Sequence, residues 1–168
     1  MEVLQKQGFP DHISWVGRLD YMSEGLILPT NDGHLKKYLE RPENALKRVY
    51  LVRALGHIQE QQLQSIEKGS MVKGVKYAKM EVNVRNPNTD RTSTWLEMTL
   101  TEGKNREIRK ILEHLGLQVT RLVRVKYGPF SLPRRLSIGQ VKEVPIPAEL
   151  LLKTNYNYIE DQTKTSLK

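Results

Sequence analysis

The run Gly17-Arg18-Leu19-Asp20 sets a carboxylate just after an apolar stretch and beside a glycine. A glycine lets backbone or ligand come close, so Asp20 stands where a bound molecule could meet it. A turn aspartate capping the next segment fits the same residues. The run Glu102-Gly103-Lys104-Asn105-Arg106-Glu107-Ile108-Arg109-Lys110 sets four cations at and just inside the start of a helical pattern. The helix dipole disfavours cations there. A phosphate or carboxylate bound at that helix start would offset the cost, and a solvated basic face fits as well. In Lys47-Arg48-Val49-Tyr50-Leu51-Val52, Tyr50 suits a strand facing the core with its hydroxyl at the boundary. The same ring could stack on an unpaired base.

Other chemistries are excluded or unsupported. The chain has no cysteine, hence no disulfide, thiolate metal site or cysteine nucleophile. His12, His34, His57 and His114 are scattered without ligand spacing, so no metal is expected. Neither a GxxxxGK[ST] nor a GxGxxG run occurs, so no nucleotide cofactor is expected. Lys plus Arg number 27 against 19 Asp plus Glu, a net charge of +8. That excess favours polyanionic partners without singling out nucleic acid.

The 168 residues, 38% apolar and 27% charged, suffice for a packed core without staples. No apolar run approaches the roughly 20 residues of a membrane helix, and the start lacks a signal segment. A soluble, intracellular chain with no membrane partner is the expectation.

The elements that must position these residues follow from periodicity. Residues 1–12 are a polar lead-in, 13–152 the folded domain and 153–168 a polar tail expected to fray. Ile13–Leu19 suits a strand and His34–Glu40 a short helix ended by Arg41-Pro42. Val49–Leu55 is rich in strand formers, and Ile58–Lys68 is a surface helix closed by Gly69. Val75–Tyr77, Met80–Val84 and the alternating Leu96, Met98 and Leu100 are strands, with a turn at Asn86–Asp90. Ile108, Ile111, Leu112 and Leu115 line one face of a helix over 105–115, with Gly116 past its end. Val119–Val125 and Gln140–Val144 read as later strands. This order predicts an α+β domain, a mixed, mainly antiparallel sheet with flanking helices.

In this order, several segments resemble the RsuA/RluB-type pseudouridine synthases, which act on ribosomal RNA. They are Val16-Gly17-Arg18-Leu19-Asp20, Ser23-Glu24-Gly25-Leu26-Ile27-Leu28, Thr30-Asn31-Asp32-Gly33, Lys47 to Val52, Glu102 to Lys110, Val119 to Arg124, and Tyr127-Gly128-Pro129-Phe130. The likeness spans about residues 13–145. It implies the pseudouridine synthase catalytic fold, with Asp20 as catalytic aspartate, Tyr50 as active-site tyrosine and Arg109 as the basic residue paired with the aspartate. It also implies that Leu122 lines the pocket and that Arg18, Lys104 and Arg106 contact RNA or shape the site.

The implied reaction isomerises a uridine without a cofactor, by flipping the base into a pocket. The implied partner is ribosomal RNA, of the large-subunit 23S type by the Tyr127 to Phe130 stretch, or a ribosomal precursor particle. A monomer in the cytoplasm, or in an organelle of bacterial origin, is expected. The other reading is a non-catalytic RNA-binding or ribosome-assembly factor on the same scaffold, which would have no need of Asp20 facing a polyanion. Such synthases usually carry an N-terminal S4-like domain, for which residues 1–12 are too few, so a catalytic domain without it is expected. Pro29 replaces the usual Leu, and Glu107 the commoner Gln.

Overall fold

The computed structural model describes residues 5–9, 12–85 and 92–154. The described residues form two compact units. One draws on residues up to Arg18, on Ile27–Asn44 and on those from Pro133 onward; the other comprises Leu19–Leu26 and Ala45–Leu132.

The larger unit is built on a sheet. Its strands are β2 (Glu24–Gly25), β4 (Arg48–Leu55), β7 (Glu81–Val84), β8 (Ser93–Leu100), β9 (Gln118–Tyr127) and β10 (Phe130–Ser131). They lie in the order β10-β9-β4-β8-β7, and β2 pairs with β9. Every pairing along that path is antiparallel, while β2 runs parallel to β9. The alternation in the sequence becomes a two-faced sheet. On β8, Thr94, Leu96, Met98 and Leu100 are buried while the residues between them are half-buried. Two helices cover the buried face, α2 (Glu60–Lys68) with Ile66 and α3 (Glu107–His114) with Ile108, Ile111 and Leu112. Leu112 is fully buried, and sequestering a leucine contributes roughly 1.5–3 kcal/mol. Between α2 and β7 lies a small ribbon of β5 (Met71–Val72) and β6 (Val75–Lys76).

In the smaller unit, β1 (Ser14–Val16) pairs antiparallel with β3 (Leu28–Thr30), setting Trp15 opposite Pro29. Helix α1 (Gly33–Glu40) starts where the Asp32 carboxylate accepts from the His34 and Leu35 amides at 2.8 and 3.0 Å. Such caps typically hold a helix end by about 1 kcal/mol. Leu35 and Leu39 are its buried face.

The mainly antiparallel α+β architecture agrees with the sequence reading, but one element differs. Gln140–Val144 is not a strand: residues 141–147 have no regular structure and 148–154 are helical. Lys142, Glu143 and Val144 are exposed, so no face of this stretch is buried, and Pro145 and Pro147 offer no amide to a ladder. The strand expected over Ile13–Leu19 is confined to Ser14–Val16. The turn expected at Asn86–Asp90 lies outside the described residues, as does the tail beyond Thr154.

Candidate active site

The loop bearing Asp20 is fixed by the strand that follows it. β2 sets Glu24 beside Val123 and Gly25 beside Arg124. This approach requires glycine, because a Cβ on Gly25, whose φ is +102°, would stand 2.3 Å from the Arg124 carbonyl oxygen. The Leu26 amide donates to that carbonyl at 2.7 Å, and Arg124 Nε donates back to the Leu26 carbonyl at 2.8 Å. Arg121 adds a bond from Nη2 to Glu24 at 2.9 Å. Immediately upstream, the Ser23 amide donates to the Asp20 carbonyl at 2.8 Å and closes a tight turn with Tyr21 and Met22 at its middle.

Arg109, on the first turns of α3, clamps this turn. Its Nη2 donates to the Met22 carbonyl, and its Nη1 donates to the Val119 carbonyl at 3.1 Å. One rigid fork thus ties the Asp20 turn to the start of β9. The third nitrogen, Nε, is buried and has no hydrogen-bond partner among the described residues. Burial lowers the pKa of Arg109, Arg106 nearby lowers it further, and the charge of Asp20 acts in the opposite direction. The half-buried Asp20 side chain is therefore within electrostatic reach of Arg109, yet it makes no hydrogen bond or ion pair among the described residues. A carboxylate beside a cation, with its lone pairs open, is suited to attack or to accept a proton.

Tyr50 lies one strand further into the sheet, where β4 sets it opposite Arg124 on β9 and Met98 on β8. Gly25, Arg124 and Tyr50 thus form one row across three strands. Tyr50 is half-buried and packs against the core, so the core and stacking readings of the sequence both remain compatible with its position. Leu122 sits in the core two rows along, opposite Val52. The buried Tyr127 ring has two guanidinium groups near its face, Arg48 at 4.8 Å and Arg124 at 5.1 Å from its centroid. Arg48 Nη2 also donates to the Tyr127 hydroxyl at 3.1 Å.

The basic segment before α3 is more engaged than a solvated face. Lys104 pairs with Glu102, donates to the Lys76 carbonyl at 2.8 Å and lies 5.6 Å from the Tyr77 ring centroid. The Lys104 amide donates to Glu107 Oε2 at 3.0 Å. Glu107 is buried, and its Oε1 meets no donor. Burial, then the neighbouring Glu102 carboxyl, pushes Glu107 up to about 8. Burial alone would also raise Glu102, but bonds with Glu107, Lys104 and the Ala78 amide outweigh it and hold Glu102 low. A proton on Glu107 shared with Glu102 satisfies both acids. Arg106 caps the helix in a left-handed conformation with φ 51°, its side chain exposed. Arg48 reaches Gly103, where a Cβ would stand 2.9 Å from Nη1.

Arg109 is thus set under the turn that bears Asp20 but, against the expected pairing, forms no ion pair with it, its fork being taken by the Met22 and Val119 carbonyls; Tyr50 and Leu122 lie two rows apart on the same sheet, and Lys104 and Arg106 frame the start of α3. Arg18 belongs to the other unit and is exposed. No group of acids and histidines suited to a metal occurs among the described residues. Sequence reasoning assigned no part to the Met22 carbonyl, to the Glu102–Glu107 pair or to the two arginines around Tyr127. A signal for the last was present in Val123-Arg124-Val125, an arginine at an inward position of an apolar strand.

The model of the family described as RNA pseudouridylate synthase matches residues 1–114. The chain belongs to the RNA pseudouridylate synthase family. Asp20, Tyr50, Lys104, Arg106 and Arg109 all fall within the matched span of this pseudouridylate synthase domain, and Leu122 lies beyond it. Among curated relatives, a Rickettsia bellii protein described as an uncharacterized RNA pseudouridine synthase is 47% identical over 140 residues, which are 83% of this chain and 59% of that protein. The ribosomal large subunit pseudouridine synthase B of Yersinia pestis is 36% identical over 141 residues, covering 84% of this chain and 42% of that protein. The chain therefore spans about half the length of these curated relatives. A crystal structure of a pseudouridylate synthase matches with a TM-score of 0.75 at 22% identity, over 88% of this chain and 64% of that one, a likeness of fold.

Proposed function

We propose that this pseudouridylate synthase domain isomerises one uridine of ribosomal RNA to pseudouridine, the target lying in the large-subunit RNA. The observation that carries the reading is the open Asp20 carboxylate on a turn clamped by Arg109. In the reaction the bond from N1 to C1′ breaks, the base turns, and C5 bonds to C1′. The C5 proton then leaves while N1 gains one, so atoms balance with no redox change and no cofactor. The uridine must leave its stack for these atoms to be reached.

Asp20 supplies the carboxylate, as nucleophile at C1′ or as base toward the sugar. Arg109 sets a positive charge near it and holds its turn in place. Tyr50 offers a ring to the freed base and a hydroxyl for removal of the C5 proton. Leu122 supports that wall from the core. Arg18 and Arg106 meet backbone phosphates, an interaction that weakens with salt, whereas Lys104, already held by Glu102, shapes the loop. The name of the Yersinia pestis relative supports the large-subunit target, and ribosomal RNA or its precursor particle in the cytoplasm is the corresponding partner. No described helix is long and apolar enough to cross a membrane.

The test is to map pseudouridine in ribosomal RNA from cells lacking the gene, complemented with the wild-type protein or with Asp20→Asn. One site should vanish on deletion and return only with the wild type. Restoration by Asp20→Asn would remove Asp20 from the chemistry. An unchanged map would overturn the ribosomal assignment and favour a non-catalytic RNA-binding role.

A further inference from the structure

The residue next to Asp20 is left entirely to solvent. Tyr21 is 100% exposed, and Met22 beside it is 63% exposed. Among the described tyrosines this is an exception, since Tyr77 and Tyr127 are buried and Tyr38 and Tyr50 half-buried. A single exposed apolar side chain on a protein surface is ordinary. The backbone beneath this one is not.

The turn carrying Tyr21 is held from three directions. The Ser23 amide closes it onto the Asp20 carbonyl, Arg109 grips the Met22 carbonyl, and β2 continues directly into its ladder with β9 while Arg121 holds Glu24. A ring with no protein contact therefore projects from a backbone that has little freedom, one residue from the reactive carboxylate. Holding an aromatic ring in water on a fixed turn lowers the entropy cost of a later stacking contact.

The charges around the turn select the partner. Arg109 lies under it, and the exposed Arg106 stands close enough to act on Arg109. An unpaired nucleotide matches both features, because its phosphate is drawn by the cations and its base presents a flat π face to the ring. When the target uridine swings out toward Asp20, the adjacent base loses a stacking neighbour.

We infer that Tyr21 is a binding residue that stacks on the nucleotide base flanking the flipped uridine, replacing the contact that the flip removes. The inference rests on the synthase reading above, and the experiment separates the two. The probe is first the ribosomal RNA of cells lacking the gene, then a synthetic hairpin spanning the modified site once it is mapped.

Tyr21→Ala should raise KM by about 10-fold with kcat little changed, and Tyr21→Phe should restore KM because the ring suffices. Tyr21→Leu, apolar but not flat, should not restore it. Thermal melting should be the same for all three, since the side chain touches nothing. An abasic nucleotide on one side of the uridine should weaken binding to the wild type and leave binding to Tyr21→Ala unaffected. If the wild type forms pseudouridine and Tyr21→Ala matches it in KM, the stacking inference falls and the synthase reading stands. If Leu restores KM as well as Phe, or if Tyr21→Ala changes only the self-association of the free protein, the patch serves another contact and the inference falls. If the wild type modifies no site, both fall.

Discussion

Glu107→Gln isolates the buried acid at the head of α3. Glu107 is 3% exposed; Oε2 accepts from the Lys104 amide, and Oε1 faces no donor. The charged groups acting on it are Glu102 and Lys104, whose ammonium is paired with Glu102. Burial raises the Glu107 carboxyl from 4.5 to about 8. The folded chain thus holds this proton more tightly than the unfolded chain. Its stabilising effect is complete below about 4.5 and is lost as pH rises toward 8.

At about 1.4 kcal/mol per pH unit, raising pH from about 5.5 to about 8.5 should remove about 3 kcal/mol of stability. For a chain of this size that corresponds to a fall in Tm of roughly 6–12 °C. Glu102 is shifted the other way, so its contribution is present above 4.5 and is lost in acid. A glutamine at 107 donates its amide to Glu102 at every pH, so the variant should keep the fold and lose the alkaline decline. Urea and thermal melts of both proteins between pH 5.5 and 8.5, followed by circular dichroism, measure this directly. Parallel profiles for the two proteins would refute a protonated Glu107.

Asp20→Asn should abolish pseudouridine formation while shifting stability by less than about 0.5 kcal/mol, since the carboxylate holds nothing in the described structure. Arg109→Lys keeps the charge but loses the fork that reaches both Met22 and Val119. It should cost about 2 kcal/mol in denaturation and lower turnover well below wild type; full activity with lysine would mean that charge alone is required. Gly25→Ala meets the Arg124 carbonyl at 2.3 Å with a left-handed backbone, and a loss of about 3 kcal/mol or more in urea denaturation is expected.

The sheet and its helices were legible because β4, β8 and α3 each have one apolar face, and Leu96, Met98, Ile111 and Leu112 mark it by spacing alone. Gln140–Val144 misled because valines and a short polar alternation imitate a strand, while nothing in a sequence reports whether a partner strand is available. Asp20 and Arg109 were singled out through their motifs. The grip of Arg109 on the turn that bears Asp20 was not legible, since it reaches the Met22 carbonyl 87 residues away and a carbonyl has no side-chain identity. The upward shift of Glu107 was equally hidden, because Glu102-Gly103-Lys104 reads as exposed charge until Lys104 turns back onto Glu102 and Lys76.

The pairing of β2 with β9 joins segments nearly the whole sheet unit apart in sequence, Glu24 to Arg121 across 97 residues and Arg124 to Leu26 across 98. A closure of that length brings a large entropy cost before any contact forms. The hairpin-like neighbours β7 and β8 can zip early, but the Asp20 turn can dock only after β9 has been made and placed. A chain emerging from the ribosome therefore has no assembled centre until Gln118–Tyr127 is available.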